Sequence, residues 1–303
     1  MLSRRPIAPQ TRGRAASTPS SPLISVNQEV LFDAVPTFDG IISVEQPVVF
    51  EATLSYSSYS PESEGGLLGW FKFNDPSAIT IAGATLTSYI NKISGVSYTP
   101  GTAVPYESAG WNGKGCIHPT LVGHAGISNA DAALISLFDC PGIGNAKPYT
   151  IIAVCSCDSA TGSGYVFAVG NSGGTSGTRW WGLRSGVAQY EHGNGAPANN
   201  TATVRSTAAA TTAQTILCWN SPGVGCTFRV NNGAADPVNL TADPSYTPGT
   251  GPNRVSPGCL PRSAPAAPWP GRIGEILIYD WDLGNDATAR NRVINDYLTP
   301  EWA

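Results

Sequence analysis

Cysteines, histidines, carboxylates and a tryptophan pair are the residues of this chain equipped for chemistry. The seven cysteines are Cys116, Cys140, Cys155, Cys157, Cys218, Cys226 and Cys259, an odd number that cannot pair completely within one chain. Cys155-Ser156-Cys157 lies in a strand-like run, so both thiols face one way. Cys218 and Cys226 flank Ser221-Pro222-Gly223 and could oppose each other across a hairpin. One C-x-C, no C-x-x-C and three histidines do not make a zinc set. The reading is buried thiols, with one or two disulfides as the alternative. His118, His124 and His192 match no metal or triad spacing and read as loop or surface residues.

Hydrolysis of a glycosidic bond needs two closely spaced carboxylates. No E-x-D-x-E or E-x-D-x-x-E occurs. Glu62 and Glu64 fall in a stretch that reads as a linker, and Asp280 and Asp282 share a strand parity near a turn. Gly170-Asn171-Ser172-Gly173-Gly174 fits G-x-S-x-G, but a nucleophile elbow needs a helix after the serine. Thr175-Ser176-Gly177-Thr178 and a strand follow instead, so the segment reads as a glycine-rich loop. In a strand, Trp180 and Trp181 point to opposite faces. One belongs in the core, and the other is a candidate platform for stacking on a sugar ring. Tyr190, His192 and Asn194 lie in a nearby polar loop that could add hydrogen bonds. These five residues form the candidate glycan site; the alternative is that both indoles are buried in the core or an interface. No dense Asp/Asn cluster for calcium is legible, and no cofactor is expected.

The elements that position these residues are short strands. The chain has 303 residues, only 13% of them charged, with 34 Gly and 25 Pro spread along it. That punctuation favours many strands joined by turns over long helices. Mean hydropathy is −0.06 and no apolar run approaches the length of a membrane span. Strand candidates recur at 67–73, 88–93, 115–119, 149–157, 165–170, 179–183, 214–220, 226–230 and 272–279. Turn signals stand at Asn112-Gly113, Asn194-Gly195 and Asn232-Gly233. Residues 252–271 hold six prolines and read as a long surface loop. One helix is predicted near the end: Asn285-Asp286 offers an N-cap, Ala289, Val293, Ile294, Tyr297 and Leu298 share a face, and Thr299-Pro300 stops it.

Upstream the pattern changes. Residues 1–22 read as a flexible basic arm with four arginines and no acid. The other 281 residues carry 13 Lys and Arg against 21 Asp and Glu, a balance of −8 that speaks against a nucleic-acid binder. Arg4-Arg5 lacks the apolar run that an export signal needs. Residues 23–60 contain a repeat: ISVNQEVLFDA at 24–34 and ISVEQPVVFEA at 42–52 share seven of eleven positions. Ile24, Val26, Val30 and Phe32 share one strand face, as do Ile42, Val44, Val48 and Phe50. A repeat this short buries no core alone, so these eight residues are expected to anchor the chain to an assembly or to pair between subunits. Residues 61–66 read as a linker and 67–303 as the main domain.

That domain resembles the laminin-G-like, concanavalin-A-like jelly-roll superfamily. The resemblance is carried by Leu68-Gly69-Trp70-Phe71 as opening strand, Asn112-Gly113-Lys114, and Pro148–Val154 as central strand. It continues in Phe228–Gly233 as a hairpin and Gly274–Asp280 as closing strand, followed by Leu283, Val293, Tyr297-Leu298 and Trp302. It implies an all-β jelly-roll sandwich with a short C-terminal helix. Ile276 and Ile278 would face one way, Leu277 and Tyr279 the other, and the helix would cover an end of the sandwich. With the arm-linker-sandwich layout, the resemblance implies a non-enzymatic virion structural protein of a tailed bacteriophage. Head decoration or head fibre is the first placement, tail fibre or baseplate the second. Residues 1–60 would meet other capsid or tail proteins, a homo-oligomer is expected, and host-surface glycans are the ligand class. The alternative is a cellular carbohydrate-binding module or adhesin, and the third reading is a glycosidase.

Overall fold

The computed structural model describes residues 59–303, except 103, 120–125, 142–143, 160, 186, 194–199, 210–211, 239–250 and 262–265. The side chains of 174–177, 184, 188–189, 191–193, 200–209 and 237–238 lie outside the description as well. The arm, both copies of the repeat and the eight expected anchoring residues, Ile24, Val26, Val30, Phe32, Ile42, Val44, Val48 and Phe50, lie outside the described residues, as do His124 and Asn194.

The sandwich begins with β1 (Leu67–Lys72), β2 (Ile79–Ala82), β3 (Thr85–Ile90), β4 (Ser97–Tyr98), β5 (Val104–Trp111) and β6 (Lys114–Ile117). A helix α1 (Ala132–Phe138) precedes β7 (Tyr149–Cys155), β8 (Gly164–Asn171), β9 (Gly174–Arg184), β10 (Val187–Gly193) and β11 (Asn200–Ala209). Then come β12 (Thr215–Ser221), β13 (Cys226–Val230), β14 (Asp236–Val238), β15 (Arg254–Pro257) and β16 (Ile273–Tyr279). The larger sheet runs β14-β13-β12-β7-β16-β6-β5-β3-β2, with β1 beside β16 and β4 beside β3. The smaller runs β11-β10-β9-β8-β15. All strand pairs are antiparallel, so the chain is an antiparallel sandwich of the jelly-roll class with a C-terminal helical segment.

The centre of the larger sheet, β7, β12 and β16, is buried at every residue. Strands apolar on both faces need cover on both. Ile151, Leu217, Trp219, Ile276 and Ile278 join the main core between the sheets, while Ile152, Val154, Cys218, Leu277 and Tyr279 form a second core. The closing strand therefore alternates as expected. The C-terminal segment lies over the outer face of the larger sheet rather than an end of the sandwich, because that face carries the uncovered apolar set. It consists of α2 (Ala287–Asn291), a π-helical stretch Arg292–Leu298, and α3 (Thr299–Trp302). Asp286 caps α2 through the Ala289 N–H, as its place in the sequence suggested. Pro300 does not stop the helix: it falls in the first turn of α3, where its missing N–H costs nothing.

Other expectations change for local reasons. The stretch 61–66 is not a free linker: Pro61–Glu64 is a 3-10 turn with Pro61 buried, the Tyr279 hydroxyl donates to Pro61 O, and Arg292 holds Glu64 with two hydrogen bonds. Part of 252–271 is core rather than surface loop. β15 forms the edge of the smaller sheet and Trp269 is fully buried; Pro257 is tolerated because an edge strand spares an N–H. The helix α1, whose Leu134, Leu137 and Phe138 are buried, was missed because its period spans less than two turns. Asn112-Gly113 takes positive φ as its hairpin requires, but the later turn uses Asn231-Asn232, one residue earlier than the Asn-Gly signal.

Candidate functional site

β9 brings the site residues together. Arg179, Trp181 and Leu183 share one parity, and Trp181 and Leu183 lie in the core between the sheets. Trp181 stacks on Tyr190 of β10 at 5.4 Å between centroids, meets Tyr149 of β7 edge-on at 5.3 Å, and donates from Nε1 to the Tyr149 hydroxyl at 3.2 Å. Trp180, on the opposite face, is equally closed: Leu260, Ala168, Tyr165 and Ala266 cover it. The expected exposed indole is therefore absent. The physical reason is the proline-rich stretch: Leu260 and Ala266 bridge each other and lie against the sheet's outer face. Tyr190 and His192 lie in strand β10 rather than in a polar loop, and Tyr190, 3% exposed, belongs to the core. His192 pairs by backbone with Arg179, and its side chain is among those not described.

The residue that sequence reading missed is Arg179. It is 1% exposed, and none of Nε, Nη1 and Nη2 has a hydrogen-bond partner. A buried charge without a partner costs on the order of several kcal/mol. Its register partners are Val169 and His192, the last residue but one of β10, so it stands near an end of the sandwich. Tyr149 and Ser221, the first residue of β7 and the last of β12, pair at the same level of the facing sheet. Trp219 of β12 lies two residues from that end, packed on Phe228 at 5.2 Å, and its Nε1 is also buried without an acceptor. Burial pushes the Tyr190 hydroxyl up to about 12 against the pull of the Arg179 charge, and pushes Tyr149 well above the phenol range against the same pull. Both phenols are therefore neutral at physiological pH and offer Arg179 no counter-charge. A signal for Arg179 was present in the sequence: a charge at the same strand parity as Trp181 and Leu183.

The other candidates are structural. Gly170–Gly174 is the β8–β9 hairpin, closed by Gly173 N donating to Asn171 Oδ1 and tied to Asn253 through Ser172 N. Asp282 accepts from Gly284 N, capping a short turn. His118 is half-buried between two carboxylates, with Nδ1 3.1 Å from Glu107 Oε1 and Nε2 2.9 Å from Asp158 Oδ2. All seven cysteines are buried and unbridged. Cys218 has Arg229 as its rung partner, three residues from Cys226, so the two thiols point to opposite faces and cannot pair. Burial raises the Cys116, Cys157, Cys218 and Cys226 thiols to about 12, which keeps them protonated and unreactive. Among the described residues no three His, Cys, Asp or Glu gather to hold a metal, and no helix is long and apolar enough to cross a membrane.

No family model and no curated protein matches the chain. Among solved structures it is similar to the Ruminococcus gnavus IT-sialidase CBM40 bound to α2,3-sialyllactose, at 16% identity and TM-score 0.46, over 58% of this chain and 94% of that one. It is also similar to the leech intramolecular trans-sialidase, at 20% identity and TM-score 0.43, over 57% of this chain and 26% of that one. The Trypanosoma rangeli sialidase in complex with the inhibitor DANA is a third, at 12% identity and TM-score 0.46, over 75% of this chain and 32% of that one. This chain thus spans about a quarter and a third of the two sialidases.

Proposed function

We propose that the chain is a carbohydrate-binding module, with its sugar site at the end of the sandwich where β9, β10, β7 and β12 meet. The observation that supports this reading is an imbalance of hydrogen-bonding groups. Arg179 from one sheet and Trp219 from the other present buried N–H donors, and none of them has an acceptor. Buried donors are normally satisfied, and an orphan costs about 1–3 kcal/mol. A molecule rich in oxygen acceptors with apolar C–H faces complements such a lining, and a sugar is that kind of molecule. Tyr149, Tyr190 and Trp181 supply the aromatic surface beside the donors.

Binding without turnover is the corresponding expectation. Glu64 and Glu107 are held by Arg292 and Arg272, Glu275 by three donors, and Glu301 by Lys72 and Lys114. A glycan array probed with the full chain tests the reading, with sialyllactose as the first sugar to follow up. Trp219→Phe, which keeps a ring and removes only the N–H, should weaken the leading hit roughly tenfold, the worth of one hydrogen bond. An array with no hit removes the proposal, as does a hit indifferent to Trp219 and Arg179.

A further inference from the structure

We propose that Arg179 anchors the carboxylate of an acidic sugar. The inference rests on the carbohydrate-binding reading and narrows it to one ligand class. A guanidinium is planar, permanently charged, and carries its N–H groups in a fork that matches the two oxygens of a carboxylate. All three nitrogens of Arg179 are buried and without hydrogen-bond partners, so the fork has N–H groups uncommitted for a bidentate contact and a further N–H for a neighbouring oxygen.

The other arginines around the fold show what this chain does with a guanidinium that has a structural task. Arg292 donates from Nε and Nη2 to Glu64 at 2.6 and 2.8 Å. Arg272 donates to Glu107 at 2.7 Å. Arg290, almost as buried as Arg179, donates to Asn232 Oδ1 at 2.9 Å and to the Gly284 carbonyl at 3.0 Å. Arg179 is more buried than any of these and has nothing. Among the described residues its ionisable neighbours Tyr149 and Tyr190 are neutral hydroxyls, and the Tyr149 hydroxyl already accepts from Trp181. One positive charge without a counter-charge calls for a ligand with one negative charge. A planar carboxylate on an otherwise neutral ring meets both the charge and the shape.

The test is titration calorimetry on the full chain with paired probes: methyl β-glucuronoside against methyl β-glucoside, and sialyllactose against lactose. A sulfated monosaccharide and plain acetate complete the set. The acidic member of at least one pair should bind tenfold or more tightly than its neutral partner, and its methyl ester should lose that advantage. Arg179→Met should abolish the preference, and Arg179→Lys should retain only part of it because the fork is gone. The ester comparison uses the unaltered chain, so it decides the matter even if a variant fails to fold. Equal binding of acidic and neutral sugars overturns this inference and leaves the module reading standing. Absence of any sugar binding overturns both. A preference for the sulfated sugar, acetate binding as tightly as the acidic sugar, or an acid preference that survives Arg179→Met each overturns it as well.

Discussion

Glu275 and Arg179 are both buried ionisable side chains of the sandwich, and their surroundings treat them in opposite ways. On the outer face of the larger sheet, Glu275 is fully buried and receives Trp70 Nε1 at 2.6 Å, the Tyr297 hydroxyl at 2.6 Å and Trp302 Nε1 at 2.8 Å. Those donors come from the first strand and the last helical segment, so one carboxyl group ties the two ends of the domain together. Gly274 is part of the arrangement: a Cβ there would stand 2.5 Å from the Trp302 ring that must reach Glu275. Lys72 extends the network, 3.1 Å from the Tyr297 hydroxyl and from Glu301. Between the sheets, Arg179 is as buried and its guanidinium has no hydrogen-bond partner. A buried polar network is stabilising when every member is satisfied and costly when one is not. The first arrangement is architecture, and the second, on the proposal above, is a binding device that the fold tolerates at a cost in stability.

The comparison breaks most visibly at Glu275. Glu275→Ala leaves three buried donors without an acceptor and should cost about 3–5 kcal/mol, read as a lowered midpoint in urea. A loss below about 1 kcal/mol would remove the distinction between the two regions. Burial raises the Glu275 carboxyl above its ordinary value. The folded chain therefore holds that proton more tightly than the unfolded chain, and stability from this group declines as pH rises through the ordinary carboxylate range. Glu275→Gln should show a flatter profile over that range than the parent chain.

Arg179 should respond with the opposite sign. Arg179→Met replaces an unpaired charge with an apolar side chain of similar length and should stabilise the unliganded domain by about 1–4 kcal/mol, measured in the same urea titration. Destabilisation of that size would mean that Arg179 supports the fold. The smallest effect belongs to a half-exposed pair that neither region contains. Lys92 bonds Asp75, and with the Ser77 hydroxyl and N–H it overcomes desolvation to hold the Asp75 carboxyl down at about 2. Its folded value is depressed, so its contribution is present above pH 4 and disappears as pH falls towards 2. Asp75→Asn should cost less than about 1 kcal/mol at neutral pH, given solvent screening, and the cost should vanish as pH falls through about 2.

The β architecture was legible because period-two patterning and turn chemistry are local. Runs such as Tyr149–Cys155 and Ile273–Tyr279, the Asn112-Gly113 hairpin and the apolar face Ala289–Leu298 needed no partner to be recognised. The site was half legible. Trp181 and Tyr190 stand out in sequence as an aromatic group with polar neighbours, and the structure stacks them across β9 and β10. Burial of the indoles was not legible, because the cover over Trp180 comes from Leu260 and Ala266, some eighty residues away. Arg179 escaped notice because a charged residue beside two tryptophans looks like an exposed edge until both sheets are in place.

What the sequence by itself determined is which residues alternate and where most of the turns fall. What only the tertiary structure decided is which face each alternating set meets. It sent the C-terminal segment to the outer face of the larger sheet, drew residues 61–66 onto that segment, and closed both indoles. It also left one guanidinium buried with no acceptor. The physical reason is that alternation assigns a side chain to a face but not to a partner. Partners are set by long-range packing, which brings three donors to Glu275 and no acceptor to Arg179.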